Sequence, residues 1–70
     1  MNVSGTYYIV ELKDGEFIHD YEGYPESGYS FTEAKAYKDE EKADKVMRAS
    51  RSQLNDSYDP QVIEINVEVV

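Results

Sequence analysis

The sequence predicts an α+β domain with the element order ββαβ, in which one helix lies on one face of a three-stranded antiparallel sheet. Residues 39–55 carry apolar side chains at the spacing of an amphipathic helix, and residues 61–69 alternate between apolar and polar side chains as a half-buried strand does. Residues 6–21 are rich in aromatic and β-branched side chains on both sides of a turn sequence, which predicts a β-hairpin. These three segments together indicate the fold class.

The strands are expected at about residues 6–12, 16–21 and 61–69, all within one domain that spans residues 1–70. The second strand runs antiparallel to the first, and a helix then crosses back over the sheet. The third strand is therefore expected to pair antiparallel beside the first, which gives the strand order 2-1-3. Residues 28–37 are compatible with a short extra strand or a helical turn.

The hairpin has two registers that are compatible with its sequence. A three-residue loop at 13–15 with a glycine bulge places Leu12 opposite Glu16, whereas a two-residue turn places Leu12 opposite Phe17. A slip of one residue moves every side chain to the other face of the sheet. The first register is favoured because it gathers four apolar residues on one face: Tyr8, Val10, Leu12 and Ile18.

The helix is expected from about residue 39 to residue 55. Asp39 is a suitable N-cap, because its carboxylate can accept hydrogen bonds from the unpaired N–H groups of the first turn. Asn55 can adopt the left-handed conformation that ends many helices, and a start as early as Thr32 stays open. The face expected to lie on the sheet carries Ala43, Val46, Met47, Ser50 and Leu54.

A chain of 70 residues is near the lower limit for a self-sufficient hydrophobic core. It has no cysteine, so neither a disulfide nor a thiolate zinc site is expected to stabilise it. No apolar run approaches the roughly 18 residues of a membrane span, and residues 1–5 do not resemble the start of a signal peptide. We therefore expect a cytoplasmic protein that does not enter a membrane.

The formal net charge of −8 is high for a chain of this size. It argues against direct binding of DNA or RNA, because attraction to phosphates supplies most of that affinity. Residues 1–34 hold seven acids and one base, and residues 52–70 hold four acids and no base. Residues 35–51 hold four acids and six bases, so by count the helix nearly neutralises itself. The acidity is therefore expected on the strands and loops.

The acidic strands and the tyrosine-bearing loops are the expected contact surface for a partner protein. Tyrosine is favoured at interfaces because it buries a ring while its hydroxyl stays hydrated. The sheet face opposite the helix is expected to stay open and to carry Tyr7, Ile9, Phe17, Glu64 and Glu68. The candidate contact residues are Glu11, Glu16, Asp20, Glu22, Tyr24, Glu26, Tyr29, Tyr58, Glu64 and Glu68.

Catalytic chemistry is not expected from this sequence. His19 is the only histidine, so a histidine-based metal site or a catalytic triad lacks parts. The pairs Asp20-x-Glu22 and Asp56-x-x-Asp59 lack the ligand number of a calcium site, and the four glycines form no phosphate-binding motif. We therefore expect no catalytic, cofactor-binding or metal-binding residue, and not an enzyme.

The hairpin YYIVELKDGEFIHDY, followed by the step from Thr32 to Ala36 and by the helix start EEKADKV, resembles small accessory proteins from phages and prophages of Gram-positive bacteria. The resemblance implies a chain that opens with a hairpin and continues through a helix to a final strand. Some acidic proteins of that kind inhibit nucleic-acid-binding proteins of the host. The resemblance assigns no role to any individual residue.

Two functions are consistent with these patterns. The leading hypothesis is a small acidic protein-binding module, acting as a phage-type inhibitor that mimics the charge of DNA and occupies a basic groove of a host protein in the host cytoplasm. The alternative is a structural or assembly protein that forms a homodimer through the open sheet face or an edge strand. A further explanation is that the charge only keeps a small domain soluble.

Overall fold

The computed structural model describes residues 3–69 of the chain, and it confirms the α+β class with one α-helix on an antiparallel sheet. The sheet has four strands in the order β3-β2-β1-β4, so the predicted three-stranded order is present as β2-β1-β4 with one further strand at the edge. The elements in chain order are β1 (Val3–Lys13), β2 (Glu16–Tyr21), β3 (Pro25–Gly28), a 3₁₀ helix (Phe31–Glu33), α1 (Glu40–Gln53) and β4 (Gln61–Val69).

β3 lies in a segment whose composition is typical of a loop. It pairs antiparallel with β2, with Tyr21 opposite Pro25 and Phe17 opposite Gly28. Proline is tolerated here because β3 is an edge strand, so only one side of its backbone needs ladder hydrogen bonds. The turn that precedes it uses Gly23 at φ 81°, a conformation that favours glycine.

The β1–β2 hairpin contains both registers in succession. Lys13 lies opposite Glu16 across a two-residue turn, in which Gly15 has φ 81°. A bulge between Glu11 and Lys13 then shifts the pairing, so that Glu11 lies opposite Phe17. Beyond the bulge the strands follow the favoured register, and the apolar residues that it gathers are buried in one cluster, namely Val10, Leu12 and Ile18.

The segment that precedes α1 fills a gap in the sheet. The Lys35 N–H donates to the Ile18 carbonyl oxygen at 2.9 Å. Tyr37 pairs with Tyr8 through two reciprocal backbone hydrogen bonds of 2.8 Å. Residues 35–37 therefore lie beside β1 where β2 no longer pairs with it. The main helix does not begin at Thr32.

α1 begins as expected and ends two residues earlier than expected. The Asp39 carboxylate accepts a hydrogen bond from the Glu41 N–H at 2.9 Å, which confirms the N-cap. The helix ends at Gln53, and Leu54 is its C-cap, which is extended at φ −101° and whose N–H donates to the Ser50 carbonyl oxygen. The left-handed end predicted at Asn55 was wrong, because no residue other than glycine has a positive φ in the described chain. The Asn55 side chain instead accepts the Ser57 N–H.

The main core lies between α1 and the sheet. Val10, Leu12, Ile18 and Ala43 are buried in one cluster. The helix face predicted from the sequence is confirmed, because Val46, Met47 and Leu54 pack against this cluster and Ser50 is buried.

Ser50 is the weak point of that face, since its hydroxyl is fully buried and has no hydrogen-bond partner within the described residues. We expect Ser50→Ala to raise the free energy of unfolding by about 1 kcal/mol, because it removes an unsatisfied polar group and favours the helix. Urea unfolding measures the change. Ser52→Ala, at an exposed site on the same helix, is the control and should alter stability by less than about 0.5 kcal/mol. A Ser50→Ala variant less stable than the wild type would contradict the prediction.

The pairing of β4 with β1 decides which side chains face the helix. Val62 lies opposite Val10, and Glu64 lies opposite Tyr8. Directly opposite residues of an antiparallel pair share a face. Glu64 and Glu68 therefore lie on the helix side of the sheet, and their predicted place on the open face was wrong. Alternation shows which β4 residues lie together, but it does not show which of the two rows the helix covers.

Candidate protein-interaction surface

Four carboxylates meet where the start of α1 crosses β4. Glu40, Glu41 and Asp44 line a groove of about 270 Å³ together with Val62. Glu64 is two residues further along β4 on the same face, opposite Tyr8. We call Glu40, Glu41, Asp44 and Glu64 the acidic patch. It lies on the β4 side of the helix.

The acidic patch is only partly neutralised by neighbouring cations. Arg48 Nε lies 2.9 Å from the Asp44 carboxylate, an ion pair that the i,i+4 spacing predicts. Among the described residues no ion pair reaches Glu40, Glu41 or Glu64. The positive end of the helix dipole stabilises the two acids of the first turn, but it does not cancel their charge toward solvent.

The field of the patch acts on Tyr8, which lies on β1 beneath the start of the helix. Burial raises the pKa of the Tyr8 hydroxyl above its ordinary value of 10.0, and the charges of Glu40 and Glu64 raise that pKa further. The pKa of Tyr37 is also raised above 10.0, chiefly by burial. The Lys35 ammonium lowers this pKa in part, and the Asp20 carboxylate adds a smaller rise.

These two tyrosines predict a loss of stability at alkaline pH. Both pKa values are higher in the folded chain than the ordinary value of 10.0, so the folded state keeps its protons to a higher pH than the unfolded state does. The contribution is complete below about pH 10 and falls as the pH rises through the folded-state pKa.

Urea unfolding between about pH 8 and about pH 11.5 measures this effect. Tyr8→Phe should flatten the alkaline decline, whereas Tyr24→Phe, at a ring that is 56% exposed, should leave it unchanged. Equal slopes for the wild type and Tyr8→Phe would contradict the assignment to Tyr8.

The face of the sheet away from α1 carries a second apolar layer. Ile63, Ile65 and Val67 of β4 lie opposite Ile9, Tyr7 and Gly5 of β1. We call Tyr7, Ile9, Phe17, Ile63, Ile65 and Val67 the apolar face. No helix of the described chain covers it except at one end, where Phe31 of the 3₁₀ helix packs edge-on against Phe17 at 5.5 Å between ring centroids.

Burial on the apolar face falls from Ile9 of β1 toward Val67 of β4. Ile9 is 1% exposed, whereas Val67 is 37% exposed. Phe31, at the other end, is 54% exposed although it contacts Phe17. The apolar face is therefore partly open, as the sequence predicted, and it is more strictly apolar than predicted because Glu64 and Glu68 are not on it.

Three of the predicted contact residues form hydrogen bonds or an ion pair within the chain. Glu11 Oε2 accepts the Gly15 N–H at 3.2 Å, within the hairpin. Glu16 is buried and accepts the Ser27 hydroxyl at 2.5 Å, joining β2 to β3. Asp20 accepts the Tyr21 N–H at 2.9 Å and contacts Lys35 at 3.4 Å. These bonds leave less of each carboxylate available to a partner.

The other predicted contact residues are divided among separate regions. Glu22, Tyr24, Glu26 and Tyr29 follow β2 or lie in and after β3, and the two tyrosines are 56% and 76% exposed. Tyr58 is half-buried, with the Lys13 ammonium 4.7 Å from its ring centroid. Glu64 and Glu68 are on β4, at the opposite edge of the sheet from β3. The ten residues do not form one surface.

Known proteins give no guide to which region binds a partner. No family model, curated protein or solved structure matched the chain. The resemblance to small phage accessory proteins therefore stays a prediction. Within the described residues no helix is long and apolar enough to cross a membrane, and no group of three or more potential ligands is placed to hold a metal ion.

The three residues of the acidic patch that lie on the helix, Glu40, Glu41 and Asp44, were not predicted as contact residues. Counting charges over residues 35–51 makes the helix nearly neutral, although Glu40 and Glu41 both precede its basic residues. The sequence does show that both acids lie in the first turn. Acids in the first turn concentrate negative charge at one end of a helix. Their proximity to Glu64 depends on the register of β4, which the sequence leaves open.

Proposed function

We propose that the chain is a small acidic protein-binding module whose partner presents a basic surface. The observation that carries this proposal is the acidic patch, in which, within residues 3–69, an ion pair reaches Asp44 alone. Unpaired carboxylates at the surface of a chain with net charge −8 attract a cationic partner and speed its association.

The partner class that this charge favours is a protein that itself binds nucleic acid. Such proteins carry basic grooves for phosphates, and a set of carboxylates fixed on a helix and a strand substitutes for those phosphates. Binding there blocks the groove, so the module acts as an inhibitor by charge mimicry, in the host cytoplasm if the chain is phage-encoded. Direct binding of nucleic acid is not proposed, because phosphate is repelled.

A capture experiment followed by a salt titration tests this function. The protein retained from a lysate of the source cell is identified, and its dissociation constant is measured from about 50 mM to about 500 mM salt. We expect affinity to fall steeply, because charges at an exposed interface are screened over about 10 Å at 0.1 M salt. Affinity that does not change across this range would rule out charge mimicry.

Matched variants distinguish the patch from overall acidity. Glu40→Gln, Glu41→Gln and Glu64→Gln combined should weaken binding by about tenfold or more, since each exposed pair contributes roughly 0.5–1 kcal/mol. The control removes the same number of charges through Glu22→Gln, Glu26→Gln and Asp56→Asn. Equal weakening by both sets would show that net charge, rather than the patch, determines binding.

The apolar face favours a second candidate, a structural protein that assembles as a homodimer. Ile63, Ile65 and Val67 form a row that no helix of the described residues covers, and burying such a row against a second copy removes apolar surface from water. Sedimentation at high micromolar concentration tests it. A dimer that Ile65→Lys dissociates supports this candidate, and a monomeric wild type contradicts it.

A further inference from the structure

We propose that β4 binds an extended segment of the partner as an added antiparallel strand, and that the segment alternates basic and apolar side chains. This inference rests on the proposed function, since it names the part of a basic partner that the acidic module recognises. It assigns the contact to the free edge of β4. The sheet is then extended from four strands to five.

The two edges of the sheet differ in how they are protected. β3 has four residues and begins with Pro25, two features that discourage pairing with another strand. β4 has nine residues with no proline or lysine, and it pairs with β1 in one unbroken register from Val69 to Gln61. Its outer edge is therefore long and regular, which is the shape that accepts another strand.

The backbone hydrogen bonds of Tyr8 show which N–H and C=O groups of β4 point to its outer edge. In an antiparallel strand the N–H and C=O of one residue point to the same side. Tyr8 directs both groups to Tyr37, so it exchanges no ladder bond with Glu64 opposite. The N–H and C=O of Glu64 therefore point away from β1, and the same holds at every second residue, namely Val62, Asn66 and Glu68.

These outward groups are unused within the described chain, where no backbone hydrogen bond from another segment reaches them. Gln61, Glu64, Asn66, Val67 and Glu68 are exposed, whereas Val62 is half-buried beside the start of α1, so the edge is open along most of its length. A docked strand supplies donors and acceptors to all four outward residues.

The side chains of β4 define the sequence of that strand. Residues opposite Glu64 and Glu68 lie on the helix side of the sheet, where the row continues toward Glu40 and Glu41. Charge complementarity favours lysine or arginine there. Residues opposite Ile63 and Ile65 extend the apolar face and favour apolar side chains. A second copy of β4 is disfavoured, because it adds more acids to the same row.

The probe that tests this is a labelled nonapeptide of alternating lysine and valine, matched to the nine residues of β4. Its control has the same composition, with the lysines and the valines in two blocks. Fluorescence anisotropy at low salt measures both affinities. We expect the alternating peptide to bind about tenfold more tightly, because only it places all lysines on the acidic row while pairing with the edge.

N-methylation of the peptide tests the strand geometry without altering the protein. A residue opposite Glu64 forms the hydrogen-bonded type of pair, so the N–H groups of the lysines point to β4 and those of the valines point to solvent. Methylating the nitrogens of two central lysines should weaken binding by about tenfold, whereas methylating two central valines should change it little. The reverse pattern, or equal loss, overturns the proposal.

The same titrations separate this inference from the proposed function. If the block peptide binds as tightly as the alternating one, strand addition fails and the acidic module still stands. If neither peptide binds at low salt, both fail. A chain that sediments as a dimer, keeps that state when Ile65 is changed to lysine, and does not bind the alternating peptide would assign the edge to a second copy, which also overturns the proposal.

Discussion

Ile18→Ala is expected to lower the free energy of unfolding by about 2–5 kcal/mol, the range for removing a large aliphatic side chain from a well-packed core. Ile18 is fully buried and belongs to the cluster between α1 and the sheet. Its carbonyl oxygen also accepts the Lys35 N–H. A domain of this size has few other buried side chains to compensate, so a loss of this order removes much of its stability.

Thermal and urea unfolding followed by circular dichroism measure the effect. Val67→Ala is the control, because it also shortens a β-branched side chain in the sheet, but at a site that is 37% exposed. We expect it to lower stability by less than about 1 kcal/mol. Equal losses for the two variants would mean that the helix-side cluster is not the main core.

Tyr37→Pro is expected to lower stability by a comparable amount. Proline removes the N–H that donates to the Tyr8 carbonyl oxygen, and it leaves that acceptor without its partner in the middle of the sheet. The ring of Tyr37, which packs against the main core, is lost as well. We expect a total loss of about 3–5 kcal/mol from the missing ring and the unpaired carbonyl together.

Tyr37→Ala separates the two contributions, because alanine loses the ring but keeps the N–H. It should be more stable than Tyr37→Pro by about 1–3 kcal/mol, the cost of an unsatisfied backbone acceptor. Urea unfolding of both variants gives the difference. Identical stabilities would show that the backbone pairing of residues 35–37 contributes nothing to the fold.

The helix and the last strand were predictable because each buries one row of side chains at its own period. The start of α1 and the N-cap at Asp39 follow from local chemistry that the sequence displays directly. The side of the sheet that α1 covers was not predictable in the same way. Val62 faces the helix and Ile63 faces away, and only the pairing with β1 decides between them.

β3 and the segment at residues 35–37 were hidden for another reason. Each depends on backbone hydrogen bonds to another strand, since β3 pairs with β2 and Tyr37 pairs with the more distant Tyr8. Pro25 and Gly28 are unfavourable inside a central strand, so composition indicates a loop where an edge strand forms. Local propensity does not indicate that the backbone of β1 needs a second pairing partner where β2 no longer pairs with it.

The candidate surface was predictable in kind but not in place. Net charge directs attention to acids, yet charge counted along the chain assigns the helix to a neutral scaffold. In the structure Arg48 reaches only Asp44, and Glu40 and Glu41 add to the charge of β4. Three-dimensional proximity, rather than the balance within a segment, determines where negative charge gathers on the surface.

The pairing of β1 with β4 also constrains how the chain folds during synthesis. Val3 lies opposite Val69, so β1, which is synthesised before the other strands of this sheet, has to wait for β4 before its outer ladder can form. Until then the β1–β2 hairpin has an unpaired strand on the β4 side, and loop closure over that distance is slow. The nascent hairpin is therefore the species most exposed to premature association, and a chaperone that shields it would increase the yield of folded protein.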